Sequence, residues 1–153
     1  MVRLNKYAKE ERSHLLDLPC PEFENTPFVP GPPLVERRIA LISTAGLHRR
    51  DDPPFGLGAA DYRLIPKDTP ANELVMSHIS TNFDRTGFQL DHNLVFPLDR
   101  LSELVVQGFI KSLASYHYSF MGATDPDQMK NAAQNLSVIM KKDSVNGVLL
   151  VPV

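Results

Sequence analysis

The sequence predicts an α/β fold: a Rossmann-like, mainly parallel sheet flanked by helices, with a proline-rich extended arm at the N-terminus. Three observations predict it. Short apolar runs at 38–43, 113–119 and 147–153 have the length and the branched or aromatic content of strands. An amphipathic helical pattern fills the stretch between the last two, from Pro126 to Lys142. Strands that alternate with helices imply βαβ units, whose strands run parallel. The third observation is composition: 42% apolar and 22% charged residues in a chain of 153 suit one soluble core.

Residues 1–37 read as an N-terminal helix and arm, and residues 38–153 as the α/β domain. Residues 3–17 form a short polar helix with Leu4, Ala8, Leu15 and Leu16 as weak apolar contacts. Six of the thirteen prolines fall between Pro19 and Pro33, which makes that stretch extended. Phe23, Phe28 and Val29 are its anchors, set on a partner or, more commonly for surface segments, on its own domain.

Arg38–Ser43 is the first buried strand. A loop rich in charge, proline and glycine follows from His48 to Ala60, then a strand at 62–65 closed by Pro66. Residues 73–79 make a third strand or a helical turn, and 80–92 a loop. Leu94–Pro97 is a brief strand leading to a helix with Asp99 as N-cap, Leu101, Leu104 and Val105 inward, and Gly108 at its end. Leu113–Ser119 is the next strand. In the clearest helix Asp125 caps, Pro126 takes the first position, Gln128 completes a capping-box spacing, and Lys141 and Lys142 complement the dipole. Gly147–Val153 is a final buried strand.

The net charge of −2 and pI near 6.2 give no general reason to expect nucleic acid or an anionic membrane as partner. No apolar run approaches the roughly 20 residues of a membrane span. The N-terminus lacks a signal-peptide core and carries acidic residues, so the expected location is cytoplasmic. The single cysteine, Cys20, excludes an intrachain disulfide and a thiolate cluster, and its place between two prolines offers nothing to lower its pKa.

Parallel sheets bind ligands beyond the carboxyl ends of their strands, so polar residues there are the candidates. They are Ser43, Thr44, Gly46, His48 and Arg49 after the first strand, then Ser77, His78, Ser80, Asn82, Asp84 and Arg85. Tyr116–Ser119, with Met121 and Gly122, completes the set. His48, His78 and His117 are candidate proton donors, while Arg49, Asp84, Arg85 and Ser119 are candidate substrate-binding residues. Each has a structural alternative. His117 alternates with tyrosines, as a half-buried hydrogen-bonded side chain would. His78 could satisfy a strand end, and Asp84 and Arg85 could form a local ion pair. No HxH or HExxH, and no histidine pair three or four apart, supports a metal site. GxSxG, GxGxxG and GxxxxGK[ST] are also absent, leaving a serine hydrolase or a nucleotide site without support.

Several long segments in order carry a resemblance. They are Arg38-Ile-Ala-Leu-Ile-Ser-Thr-Ala-Gly-Leu-His48, Asp61-Tyr-Arg-Leu-Ile-Pro66, Ser77-His78 and Asn82-Phe-Asp-Arg-Thr-Gly-Phe88. Val95-Phe-Pro-Leu-Asp-Arg-Leu101, His117-Tyr-Ser-Phe-Met-Gly-Ala-Thr124 and Val148-Leu-Leu-Val-Pro-Val153 complete the series. With them the chain resembles short stand-alone members of the selenoprotein B family of glycine/sarcosine/betaine/D-proline reductases. The resemblance implies an oxidoreductase that cleaves a carbon–nitrogen bond of an amino acid or amine substrate. It also implies a thioredoxin-type reductant, a pyruvoyl-bearing partner subunit and an oligomer. In the family the strand matching Val148–Val153 runs into a redox motif of selenocysteine or cysteine, two residues, then cysteine. This sequence ends just before it. The expectation is therefore that the chain holds no cofactor of its own and is inactive alone, that selenocysteine follows Val153 in the full-length product, and that a UGA codon has been taken for a stop. A strand so truncated should leave an apolar edge or face exposed. The alternative is a non-catalytic α/β binding or assembly subunit.

Overall fold

The computed structural model describes residues 4–17, 22, 24–25, 28–80 and 85–153. Among these described residues, seven strands and four α-helices follow in chain order. They are α1 (Lys9–Leu16), β1 (Arg38–Ser43), β2 (Leu47–Arg49), β3 (Arg63–Pro66), β4 (Leu74–Met76) and α2 (Thr86–Leu90). Then follow α3 (Leu98–Val106), β5 (Ser112–Leu113), β6 (Tyr116–Ser119), α4 (Lys130–Lys142) and β7 (Gly147–Val151).

β1 organises a five-stranded, mainly parallel sheet. Along one edge it pairs first with β5 (Ile39 opposite Leu113) and then with β6 (Ser43 opposite Ser119), both parallel. Along the other it pairs with β7, from Ile39 opposite Gly147 to Ser43 opposite Val151. β3 joins the far side of β6 antiparallel. A separate two-stranded antiparallel sheet, β2 with β4, continues from the carboxyl end of β1.

Alternation along β1 divides the core. Ile39 and Leu41 face a layer formed by Leu47, Leu74, Phe96, Leu98 and Leu101, so α3 and the β2–β4 pair cover this side. Ala40 faces the other way, where Ala114, Tyr118, Phe120 and Leu136 of α4 meet it. The two alanines lack side chains long enough to hold α4 off, and both are fully buried. Burial of residues such as Leu41, Ile65 and Phe96 contributes about 1.5–3 kcal/mol each.

A clamp closes the amino end of the sheet. Arg38 donates through Nη2 to Asp143 Oδ1 (2.6 Å), through Nε to the Asp143 carbonyl (2.7 Å) and through Nη1 to the Leu113 carbonyl (2.5 Å). Asp143 Oδ2 accepts from Ser115 N–H at 2.6 Å. One ion pair thus joins the end of α4, the start of β1 and the break between β5 and β6. Burial would raise the Asp143 pKa, but the hydrogen bonds from Arg38 and Ser115, with the charge of Arg38, hold it below the usual carboxylate range.

Several expectations need correction. The strand expected at 113–119 is interrupted between β5 and β6. The loop expected from His48 begins only after β2, and part of the loop expected over 80–92 is α2. Residues 92–94 form a 3₁₀ turn rather than the start of a strand: Val95 and Phe96 are buried, but the Val95 carbonyl bonds to the Ser43 hydroxyl (2.7 Å) and joins no ladder. Pro97 is the N-cap of α3 and Asp99 lies in its first turn. Pro126–Met129 is a 3₁₀ turn capped by Asp125, whose carboxylate accepts from Asp127 N–H (3.0 Å), and the α-helix begins at Lys130. β7 is a sheet edge with Val148, Leu149 and Leu150 exposed, not a buried strand. Phe28 and Val29 do not pack on the domain, being 88% and 83% exposed. Cys20 and Phe23 lie outside the described residues.

Candidate functional site

β1, β6 and β7 run parallel, so their carboxyl ends share one rim. From Ser43 the chain turns through Thr44-Ala-Gly46 into β2. The turn is fixed by hydrogen bonds from Thr44 N–H to the Val151 carbonyl (3.1 Å) and from Gly46 N–H to the Phe120 carbonyl (2.8 Å). Gly46 has φ +64°, and a Cβ there would stand 3.0 Å from His78 Cα. Only glycine allows the β2–β4 pair to dock so closely.

β7 delivers the chain to the same rim. Val153 N–H donates to Thr44 Oγ1 (2.8 Å), and Thr44 Oγ1 lies 3.3 Å from the Val153 carbonyl. Gly122 is packed against both: a Cβ would meet the Val153 carbonyl oxygen at 2.7 Å and the Thr44 carbonyl oxygen at 2.8 Å. Three backbone segments converge here.

Ser119, at the end of β6, is fully buried, and its hydroxyl accepts from Leu47 N–H at 2.7 Å. It thereby fixes β2 over the rim. His48 follows in β2 and is buried; its Nδ1–H donates to the Arg49 carbonyl (2.7 Å). Its Nε2 has no partner among the described residues and, in a neutral ring, would be the nitrogen that accepts, since Nδ1 carries the hydrogen. Arg49 is held through its backbone, its N–H donating to Asp52 Oδ2 (3.2 Å).

His78 follows β4, and its Nδ1 accepts from Ser80 N–H (3.2 Å). Arg85 donates to the carbonyls of His78 and Ser80. Burial, then the Arg85 charge, lowers the His78 pKa, favouring the neutral imidazole. His78 and Arg85 are thus brought together, while Asp84 lies outside the described residues.

His117 sits deeper, at the start of β6, with no exposed surface. Its Nδ1 accepts the Leu41 N–H (3.0 Å), taking the ladder position left open between β5 and β6. Its ring meets Phe96 edge-to-face at 6.3 Å. Burial is the main cause of a pKa lowered to about 4, which the Asp143 charge opposes and the Arg38 charge reinforces. His117 is therefore a neutral cross-strand acceptor in this fold.

The rim brings together Ser119, the Thr44–Gly46 turn with the start of β2, His78 and Arg85, and leaves His117 inside the sheet. Thr44 and Gly122 belong to the rim as well. Their place after strands made them visible in the sequence, but their contact with each other depends on the register of β7. Among the described residues no group of three or more His, Cys, Asp or Glu side chains is arranged to hold a metal. No helix there is long and apolar enough to cross a membrane.

Comparison with known proteins identifies the family. Residues 4–153 match the family model of glycine/sarcosine/betaine reductase selenoprotein B. The chain is 35% identical over 121 residues to D-proline reductase subunit gamma of Acetoanaerobium sticklandii, covering 76% of this chain and 49% of that protein. To the betaine reductase complex component B subunit beta of Peptoclostridium acidaminophilum it is 28% identical over 153 residues, covering 96% of this chain and 35% of the relative. The sarcosine reductase complex component B subunit beta of the same organism is 26% identical over 147 residues, covering 88% and 32% respectively. The chain thus spans half or less of the length of these relatives. No solved structure matches it. The chain belongs to the glycine/sarcosine/betaine reductase selenoprotein B family.

Proposed function

We propose that the chain is part of a selenol- or thiol-dependent reductase component that cleaves a carbon–nitrogen bond of an amino acid or amine, and that its chemistry stands at the rim beyond β1, β6 and β7. The observation that carries the reading is the seat of Val153: β7 brings it against Thr44 and Gly122, beside the Thr44–Gly46 turn that leads into β2 with His48 and packs against His78. A redox residue following Val153 would enter the rim there. The relatives supply the substrate classes, since their names are those of D-proline, betaine and sarcosine reductase components.

Each residue has a role in this reading. Arg85 and Arg49 supply positive charge for a substrate carboxylate, Asp84 balances them, and Ser119 holds β2 in place. His48 and His78 relay protons. Cleaving the bond into C–H and N–H consumes two electrons and two protons. A thioredoxin-type dithiol provides both and leaves as the disulfide. Selenocysteine, when present, supplies a nucleophile that stays ionised at neutral pH, and a pyruvoyl-bearing partner subunit activates the amino acid. The domain is read as Rossmann-like and the location as cytoplasmic.

Intact-mass and selenium analysis of the native gene product tests the proposal. The expected product is heavier than 17.1 kDa and holds one selenium per chain. A selenium-free product of 17.1 kDa would overturn it. A second reading, a non-catalytic assembly subunit, draws on the exposed apolar surface of β7, Phe28 and Val29, and predicts that lighter product.

A further inference from the structure

β1 and β7 separate at the rim. Their ladder ends with Ser43 opposite Val151, where Thr44 N–H donates to the Val151 carbonyl (3.1 Å). Beyond that point the chain from β1 turns toward the segment after β6. Ala45 bridges to Met121, and Gly46 N–H donates to the Phe120 carbonyl (2.8 Å). On the other strand Pro152 has no N–H to offer a ladder. Backbone pairing with β1 therefore stops at Val151, and the Thr44 side chain takes over. Its Oγ1 accepts from Val153 N–H (2.8 Å) and lies 3.3 Å from the Val153 carbonyl, to which its own hydrogen can donate. One hydroxyl thus holds both backbone polar groups of one residue.

The surroundings are shaped to this contact. Gly122 N–H donates to the Thr44 carbonyl (2.9 Å), and a Cβ on Gly122 would meet the Val153 carbonyl oxygen at 2.7 Å. Gly122 is not among the glycines with positive φ, so its lack of a side chain serves the close approach and not a turn. The Val153 side chain packs with that of Val151 against the core cluster of Phe96 and Leu101.

We infer that Thr44 is a positioning residue for the redox centre: its hydroxyl fixes the backbone of Val153, and with it the direction in which the following residue enters the rim. This rests on the function proposed above, in which that residue is selenocysteine or cysteine. Thr44 touches no reacting atom and acts through the backbone alone. Valine at this position keeps the branched shape of threonine and removes the hydroxyl, whereas serine keeps the hydroxyl.

Two measurements on the full-length native gene product test the inference. Amide hydrogen exchange at Val153 should speed up at least ~10-fold in Thr44→Val, while that at Leu149, inside the ladder, stays protected. After reduction, the pH profile of iodoacetamide alkylation is recorded for the residue that follows Val153, in the folded protein and in urea. Held in the rim, that residue should have a midpoint at least ~0.5 pH unit from its unfolded value. Thr44→Val should lose most of the difference and Thr44→Ser should keep it. Asp143→Asn, which loosens the clamp at the far end of the sheet, should keep it too. A midpoint that Thr44→Val leaves in place, or one equal in the folded and unfolded native protein, would overturn the inference with the redox residue still present. So would unchanged exchange at Val153, or an equal loss in Asp143→Asn. A product without selenocysteine or cysteine after Val153 would instead overturn the function proposed above, and the inference with it.

Discussion

Acid should weaken this fold well above the range in which carboxylates titrate, and His117 should be the main cause. Its pKa is lowered to about 4 by burial, against 6.5 for the free side chain. The unfolded chain therefore takes up a proton as the pH falls through 6.5, while the folded chain refuses it until about pH 4. The sign is fixed: His117 leaves stability untouched at neutral pH and removes it as the pH drops between those values. The loss amounts to about 2 kcal/mol at pH 5 and about 3 kcal/mol at pH 4. His78, also lowered, adds in the same direction. Urea unfolding at several pH values between 7 and 4 measures the slope. His117→Gln keeps an acceptor for the Leu41 N–H and removes the titration, so its profile should be nearly flat apart from the share of His78. Parallel profiles for the two proteins would show that His117 is accessible or charged in the fold and would refute this reasoning.

Three further outcomes follow from the packing. Asp143→Asn should cost about 2–3 kcal/mol in urea unfolding, because the Arg38 guanidinium loses its charged partner; the carboxylate's own contribution is present above about pH 4 and is lost as the pH falls through its lowered pKa. Tyr118→Phe removes a buried hydroxyl that has no partner among the described residues, so its thermal midpoint should stay level or rise, and a loss above ~1 kcal/mol would reveal a hidden acceptor. Gly122→Ala should cost about 1–3 kcal/mol because its neighbours are backbone oxygens, while Gly56→Ala, with open space around it, should stay within ~0.5 kcal/mol.

The sequence was most legible where one segment's pattern decided its structure. β1 and α4 declare themselves by apolar periodicity, and Asp125 and Pro126 by position, although a 3₁₀ turn precedes the α-helix there. Legibility failed where a distant segment decided. Leu47-His-Arg49 is too short and polar to read as a strand, and becomes one only against Leu74–Met76. Val95 and Phe96 are apolar enough for a strand, but Pro97 and the 3₁₀ turn before them give burial without a ladder. β7 was expected to be buried, but an apolar run does not say which side is covered, and Val148, Leu149 and Leu150 are exposed. His117 was visible as a histidine among tyrosines, while its acceptor role depends on the gap between β5 and β6. The sheet-end rule pointed to Ser119 at the end of β6, whereas His78 and Arg85 follow β4 of the antiparallel pair, and the Thr44–Val153–Gly122 contact required β7 in register.

Alkylation mapping of the native gene product addresses the proposed chemistry most directly. After reduction, iodoacetamide is applied near pH 5, where an ordinary thiol is protonated and slow to react. The expected result is rapid labelling at a single selenium-containing residue in the peptide that continues from Val153, with Cys20 unlabelled. Labelling confined to Cys20, or no peptide extending past Val153, would contradict a redox centre at this rim.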